Sequence, residues 1–268
     1  MVTFPPCKIN LGLGVIRKRE DKYHDIETCF YPIPLTDVLE VLPATTVSFE
    51  ISGNAIPGDA SDNLCLKAYR LLQKDFDLPP VKIFLHKVIP SGAGLGGGSS
   101  DGAHTLRLLN EVFGLRLSAE KLKEYALQLG SDCPFFIEDR PMLGSGRGEE
   151  LKPVSVDLSG KFIVLVKPDV HVSTAEAYGG VTPAVPQMPV KDILQKRVVD
   201  WKDVLKNDFE TSVFAKYPQI GAIKEKFYQH GALYASMSGS GSAVFGIFEK
   251  PVDLKTSFPN DFFWSKRL

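Results

Sequence analysis

Ser91 to Ser100 read SGAGLGGGSS, ten residues with five glycines, between an alternating apolar run and a helical pattern. Glycine lets the backbone approach a ligand closely and adopt positive φ, so several N–H groups can converge on one anion. A helix beginning at the end of such a loop adds its free N–H groups and its dipole, about 0.3–2 kcal/mol in favour of a negative charge. The chemistry on offer is phosphate binding, whereas a plain tight turn needs only one or two glycines. Three familiar phosphate loops do not fit. No lysine follows the glycines, as a Walker loop requires. Gly92, Gly94 and Gly97 match the dinucleotide spacing, but two helical patterns follow where that fold would place a strand tipped by an acid. The HRD and DFG sequences of protein kinases are absent.

Phosphoryl transfer also needs a base or a charge at the attacking hydroxyl. Asp132 lies between a helix stop at Gly130 and Pro134, hence on a short loop, where functional side chains concentrate. Taken alone it could equally be a solvated or capping aspartate. Lys8 stands among apolar residues of a strand, where a buried lysine needs an anionic partner; an edge lysine facing solvent is the bland alternative. Asn10, two residues on, shares the Lys8 face because side chains alternate along a strand. A second cluster, Ser238-Gly239-Ser240-Gly241-Ser242, lies between two apolar runs and reads either as a hairpin loop or as part of a site. The histidines have no metal-ligand spacing.

The elements that must position these groups follow from periodicity. Ile9, Leu11, Leu13 and Val15 alternate with small or polar residues, the pattern of a half-buried strand. IETCFYPI, DVLEVL and TVSFEI continue as strands. Ser61 and Asp62 cap a helix with Leu64, Ala68, Leu71, Leu72 and Phe76 inward, ended by Pro79 and Pro80. Val81, Ile83 and Leu85 alternate into the glycine loop. The helix after it buries Ala103, Leu106, Leu109 and Phe113. Another, capped by Ser118, buries Leu122, Tyr125, Ala126 and Leu129 and stops at Gly130. KFIVLVK suits a strand covered on both faces. A helix from about Tyr217 to His230 buries Ile220, Ile223 and Phe227, and ALYAS and AVFGIF are strands around the second cluster. This is an α+β chain in two lobes, residues 1–155 and 156–268.

Of 268 residues, 44% are hydrophobic and 24% charged, with a net charge of −1, ordinary values for a core-forming protein. No basic run marks a nucleic-acid or anionic-membrane partner. No apolar stretch is long enough for a membrane span, and MVTFPPCKIN has no secretory pattern. Four scattered cysteines argue against structural zinc or a disulfide framework. A cytoplasmic location is the expectation.

Three ordered motifs, PCKINLGLGV at 6–15, PSGAGLGGGSSDGA at 90–103 and MSGSGSAVFG at 237–246, resemble those of the GHMP small-molecule kinases. KINLGL, KYHDIETCF at 22–30, GLGGGSSD and GSDCPFF at 130–136 narrow the likeness. They point to the branch that phosphorylates 4-diphosphocytidyl-2-C-methyl-D-erythritol for isoprenoid synthesis. In one departure, Lys22 stands where that branch usually has glycine. The resemblance implies a β-rich α/β N-terminal lobe, a ferredoxin-like C-terminal lobe, ATP as donor and Mg²⁺ as its escort. It implies that Asp132 is the catalytic aspartate, paired with Lys8 at the attacking hydroxyl. Pro90, Ser91, Gly92, Ala93, Gly94, Leu95, Gly96, Gly97, Gly98, Ser99 and Ser100 would bind ATP, with Asn63, Leu64 and Lys87 near adenine. Asn10, Tyr23, His24, Thr174, Tyr178, Gly239, Ser240 and Gly241 would bind the substrate, a cytidyl diphosphate sugar alcohol. Tyr23 would stack on cytosine and His24 would read its edge, with Tyr178 on the opposite face. Alternatives are a mevalonate- or homoserine-type kinase of the same family, a nucleotide sensor without catalysis, and a dinucleotide oxidoreductase.

Overall fold

The computed structural model describes all 268 residues. In chain order the elements begin with β1 (Val2–Thr3), β2 (Pro6–Lys18), β3 (His24–Thr36), β4 (Val38–Pro43) and β5 (Ser48–Gly53). Helix α1 (Leu64–Phe76) and β6 (Val81–Lys87) lead to α2 (Gly97–Val112) and α3 (Ala119–Leu129). Next come β7 (Met142–Ser145), β8 (Glu150–Pro153), β9 (Phe162–Lys167), α4 (Thr174–Gly179) and α5 (Val190–Leu194). The chain closes with α6 (Glu210–Lys216), α7 (Pro218–Gln229), β10 (Tyr234–Met237), β11 (Val244–Phe248) and β12 (Phe262–Arg267). No helix is long and apolar enough to cross a membrane.

The chain forms two compact units. One takes Met1–Lys8, Leu35–Ser91 and Gly96–Arg140. Its sheet has the order β1-β4-β6-β5, antiparallel except for the parallel β5/β6 pair. Val81, Ile83 and Leu85 of β6 are buried while Lys82 and His86 face out, so the sheet has one apolar face. Helix α2 packs on β4 and on both α1 and α3. The α1 cap differs from the sequence expectation. Asn63 Oδ1 accepts from Cys65 N at 2.9 Å, and the preceding short 3-10 turn is capped by Asp59. Starting later, α1 buries Cys65, Leu66, Ala68, Tyr69 and Leu72 and leaves Leu64, Leu71 and Phe76 half-buried. Phe113 and Leu129, expected inside, are also only half-buried, since each stands at its helix end.

The other unit takes Ile9–Pro34, Gly92–Leu95 and Pro141–Leu268 and holds two sheets. One is ordered β2-β3-β7-β8. The second, β10-β11-β9-β12, is antiparallel throughout, and its first strand in sequence lies between the third and the last. That order is the ferredoxin-like arrangement. Helix α7 covers β10 and β11 with Ile220, Ile223 and Phe227, and Phe227 meets Phe248 and Phe258 edge-on. Strand β2 is not half-buried as its alternation suggests: Cys7 to Leu13 are all buried. Beside Gly12, Leu205 lies so close that an added Cβ would come within 2.6 Å of it. Polar and small positions of β2 thus face packed neighbours. Strands β7, β8 and β12 and helix α6 escaped the sequence reading, because each is short and lacks a clear apolar period.

Candidate active site

Strand β2 delivers Lys8, and the turn after α3 delivers Asp132. Lys8 Nζ lies 3.7 Å from Asp132 Oδ2; the lysine side chain is 4% exposed and the carboxylate 34%. Burial lowers the Lys8 pKa below its ordinary value, and Asp132 opposes that shift. The pair is therefore a sheltered cation beside an anion that water can still reach. Gly96 stands against it with φ +69°. A Cβ there would meet Phe136 Cζ at 2.9 Å and Lys8 Cε at 3.3 Å, so only glycine lets the loop lie along the lysine stem.

Gly96 is also the N-cap of α2, with no side chain capping the first N–H groups of that helix. Those groups and the helix dipole face the start of the helix, the arrangement that holds phosphate. In the first turn, the Cys133 thiol lies within hydrogen-bonding reach of Ser99, and Ser100 Oγ is buried without a partner. Gly98 opens onto free space. Pro90 and Ser91 connect β6 to the loop, and Ser91 Oγ donates to the Ala55 carbonyl at 3.4 Å. Asn63 and Leu64 start α1 beside α2, where a Cβ at Gly102 would come within 2.9 Å of Leu64 Cβ. The Lys87 ammonium is enclosed: it donates to Asp37 and, at 2.8 Å, to Asp101. Burial raises the Asp101 pKa and the Lys87 charge opposes it.

In the second unit the middle of the glycine loop and the Ser238–Ser242 turn touch backbone to backbone. Gly94 has φ +76°, and a Cβ there would overlap the Ser238 carbonyl oxygen at 1.9 Å. Ser238 Oγ donates to the Gly94 carbonyl at 2.9 Å and accepts from Asn10 N at 3.3 Å. The Ala243 N–H donates to the Ala93 carbonyl at 3.2 Å. Leu95 is buried, and Gly92 lies against His171. Gly239 (φ +55°) faces the Gly94 carbonyl and Asn10 Oδ1, and Gly241 (φ +87°) lies on Met237. Thr174 Oγ1 and Ser240 Oγ are 3.5 Å apart. Asn10 Nδ2 donates to Thr28 Oγ1 at 2.9 Å, and that hydroxyl donates to the Gly12 carbonyl.

The aromatic residues named from the sequence are partnered locally. His24 stacks on Tyr178 with ring centroids 4.7 Å apart and planes 16° from parallel, and Phe209 meets Tyr178 edge-on at 4.8 Å. Tyr23 is exposed, with the Arg147 guanidinium 5.0 Å over its ring. The two flat surfaces proposed for a base thus come with a histidine and an arginine already on them.

Sequence reasoning missed several supporting residues. Asn207 is buried, and its Nδ2 donates to the Met237 and Gly239 carbonyls, both at 2.8 Å. Glu210 Oε1 accepts from Met237 N at 2.8 Å and from Ser236 Oγ at 3.0 Å. Thr28, Asp37 and Asp101 act in the networks described above. The available signals were weak: a polar NDFE segment in an irregular stretch, and an aspartate directly after GGGSS.

With this geometry established, comparison with known proteins gives a consistent result. The model for the GHMP kinases N terminal domain matches residues 63–139, and that for the GHMP kinases C terminal matches residues 190–256. The chain is 55% identical over 249 residues to a Cytophaga hutchinsonii protein named 4-diphosphocytidyl-2-C-methyl-D-erythritol kinase, covering 92% of each. A solved structure of 4-(cytidine 5'-diphospho)-2C-methyl-D-erythritol kinase superposes with TM-score 0.84 at 32% identity, over 99% of this chain and 98% of that one. The Methanococcus jannaschii mevalonate kinase structure shares the fold at TM-score 0.72 and 14% identity, over 100% of this chain and 98% of that one.

Proposed function

The chain belongs to the GHMP kinases, a family of ATP-dependent small-molecule kinases, and from that premise we propose that its acceptor is 4-diphosphocytidyl-2-C-methyl-D-erythritol. The γ-phosphoryl group of ATP goes to the 2-hydroxyl of that alcohol, a step of non-mevalonate isoprenoid precursor synthesis. The observation that carries the substrate is the near-full-length likeness to kinases named for this alcohol. Cytoplasmic residence and a lobe division at residues 155/156 belong to the same proposal. The N- and C-terminal family matches fall on either side of that division.

In the proposed mechanism Asp132 accepts the proton of the 2-hydroxyl as its oxygen attacks the γ-phosphorus, and the bond to the β-phosphate oxygen breaks to release ADP. Lys8 holds the alcohol oxygen and stabilises its developing negative charge. The glycine loop and the first turn of α2, Pro90 to Ser100, hold the phosphates. Asn63, Leu64 and the backbone of Lys87 receive the adenine. Asn10, Thr174, Gly239, Ser240 and Gly241 hold the alcohol, and Tyr23, His24 and Tyr178 hold its cytosine. Mg²⁺ is proposed as part of the donor substrate. No three His, Cys, Asp or Glu side chains converge to cage an ion. The unpartnered Ser100 hydroxyl fits an ion carried mainly by phosphates and water. Bound with ATP, the ion offsets charge on the β- and γ-phosphates.

A phosphoryl-transfer assay with MgATP and a panel of alcohols tests the reading. The expected result is ADP release with the cytidyl alcohol at a kcat/KM far above that for mevalonate or homoserine. Efficient turnover of either simple alcohol, with the cytidyl compound ignored, would refute it.

A further inference from the structure

The glycine loop leaves one strand and enters one helix, and a single buried charge cluster touches both arms. Asp37, the one residue between β3 and β4, accepts at Oδ1 from Val88 N at 2.6 Å and from Ile89 N at 2.9 Å. These bonds hold the incoming arm just before Pro90. Its other oxygen receives the Lys87 ammonium, which also donates to Asp101 Oδ2 at 2.8 Å in the outgoing helix α2. The three side chains are 0%, 2% and 2% exposed. Where the arms meet they are packed tightly: a Cβ on Gly97 would come within 2.9 Å of Ile89 Cγ2 and 3.3 Å of Lys87 Nζ.

Removing three charges from water is costly, and such clusters often contribute less stability than apolar residues of the same volume. What this one supplies is geometry. It joins two segments 14 residues apart, Lys87 and Asp101, at the base of the glycine loop. We propose that Asp37, Lys87 and Asp101 are positioning residues that tie the two arms of the phosphate loop together, so that its N–H groups face the donor phosphates already ordered. This rests on the kinase reading, and it gives the Lys87 ammonium a role away from the nucleotide. The loop pays less ordering entropy when ATP binds, so the cluster acts on donor affinity and leaves the acceptor alone.

The test is calorimetric binding of a non-hydrolysable ATP analogue with Mg²⁺ and no alcohol present, alongside KM values for both substrates and thermal unfolding. Asp101→Leu keeps the shape, removes the acceptor that ties the outgoing arm to Lys87 and leaves Lys87 with Asp37. It should weaken analogue binding by roughly 10- to 100-fold, the scale of a small misplacement, with the KM for the alcohol unchanged. Asp139→Asn is the control. It breaks the pairs that Asp139 makes with His104 and Arg107 farther along α2, and should lower Tm without moving analogue affinity. If Asp101→Leu does not fold, the double variant Lys87→Met/Asp101→Leu removes the ammonium together with its acceptor on α2 and should show the same loss. Wild-type affinity in either folded variant overturns the inference, as does an equal loss in the Asp139 control. Failure of the wild type to bind the analogue would instead sink the kinase reading, and this inference with it.

Discussion

Lys8 is an ammonium that the fold has moved out of water, with one anion 3.7 Å away to hold its charge. Burial favours the neutral form and Asp132 favours the charged form; the burial effect is the larger, so the pKa lies below the ordinary 10.5. The ammonium proposed to stabilise the attacking oxygen is lost as pH rises through this lowered value. Measured kcat/KM should therefore fall on the alkaline side with an apparent pKa below 10.5. An alkaline limb no earlier than that of an exposed lysine would contradict the assignment. Asp132 is a separate matter. Asp132→Asn preserves size and removes the proposed base, so kcat should drop by about 10²–10⁴ while binding of an ATP analogue stays near wild type. A variant with near-normal turnover would show that Asp132 is dispensable for transfer.

Short turns between elements carry much of what is particular to this chain. The β2–β3 connection closes with Arg19 N donating to the Tyr23 carbonyl at 2.8 Å and Lys22 N donating to the Arg19 carbonyl at 3.2 Å. Lys22 has φ +69°, a left-handed conformation that costs an L-residue with a Cβ about 1–2 kcal/mol. Glycine at this position would avoid that cost. Lys22→Gly should therefore raise stability by about 0.5–1 kcal/mol, part of the relief being offset by greater freedom of the unfolded chain. The urea midpoint should move up and the KM for ATP should not change. A lower midpoint would mean that the Lys22 side chain contributes more than its backbone strain costs.

For the whole molecule the decisive question is which alcohol it accepts, because kinases of one fold differ in acceptor. The relatives of similar sequence are named for a cytidyl alcohol, and Tyr23, His24 and Tyr178, the last two now stacked on each other, are the rings proposed to receive its base. Free cytidine 5'-diphosphate should therefore inhibit competitively against the alcohol and not against ATP. Tyr23→Ala should raise the KM for the cytidyl substrate by about 5- to 150-fold, the equivalent of losing one base–aromatic stack. Its KM for ATP should be unaffected. If cytidine diphosphate competes with ATP alone, the aromatic set does not receive the base.

Much of this protein was determined locally and is legible without coordinates. The glycine loop between β6 and α2, the helices 97–112 and 119–129 with their Ser118 and Gly130 ends, and the doubly covered strand 162–167 follow from periodicity, capping and glycine placement. These act over a few residues, so adjacent sequence contains their causes. Three ordered motifs identified the family, because phosphate binding demands glycine where nothing larger fits. Tertiary structure alone decided the rest. That Lys8 faces Asp132, that Gly94 touches Ser238, and that Asp37 joins Lys87 to Asp101 are contacts between segments 14 to 144 residues apart. No local pattern encodes such partners. The burial of both faces of β2 has the same origin, since Leu205 arrives at Gly12 from nearly two hundred residues away. Nothing adjacent in sequence marks the polar residues Asn207 and Glu210 as buried; the fold encloses them, and enclosure is what obliges each to find its hydrogen-bond partners.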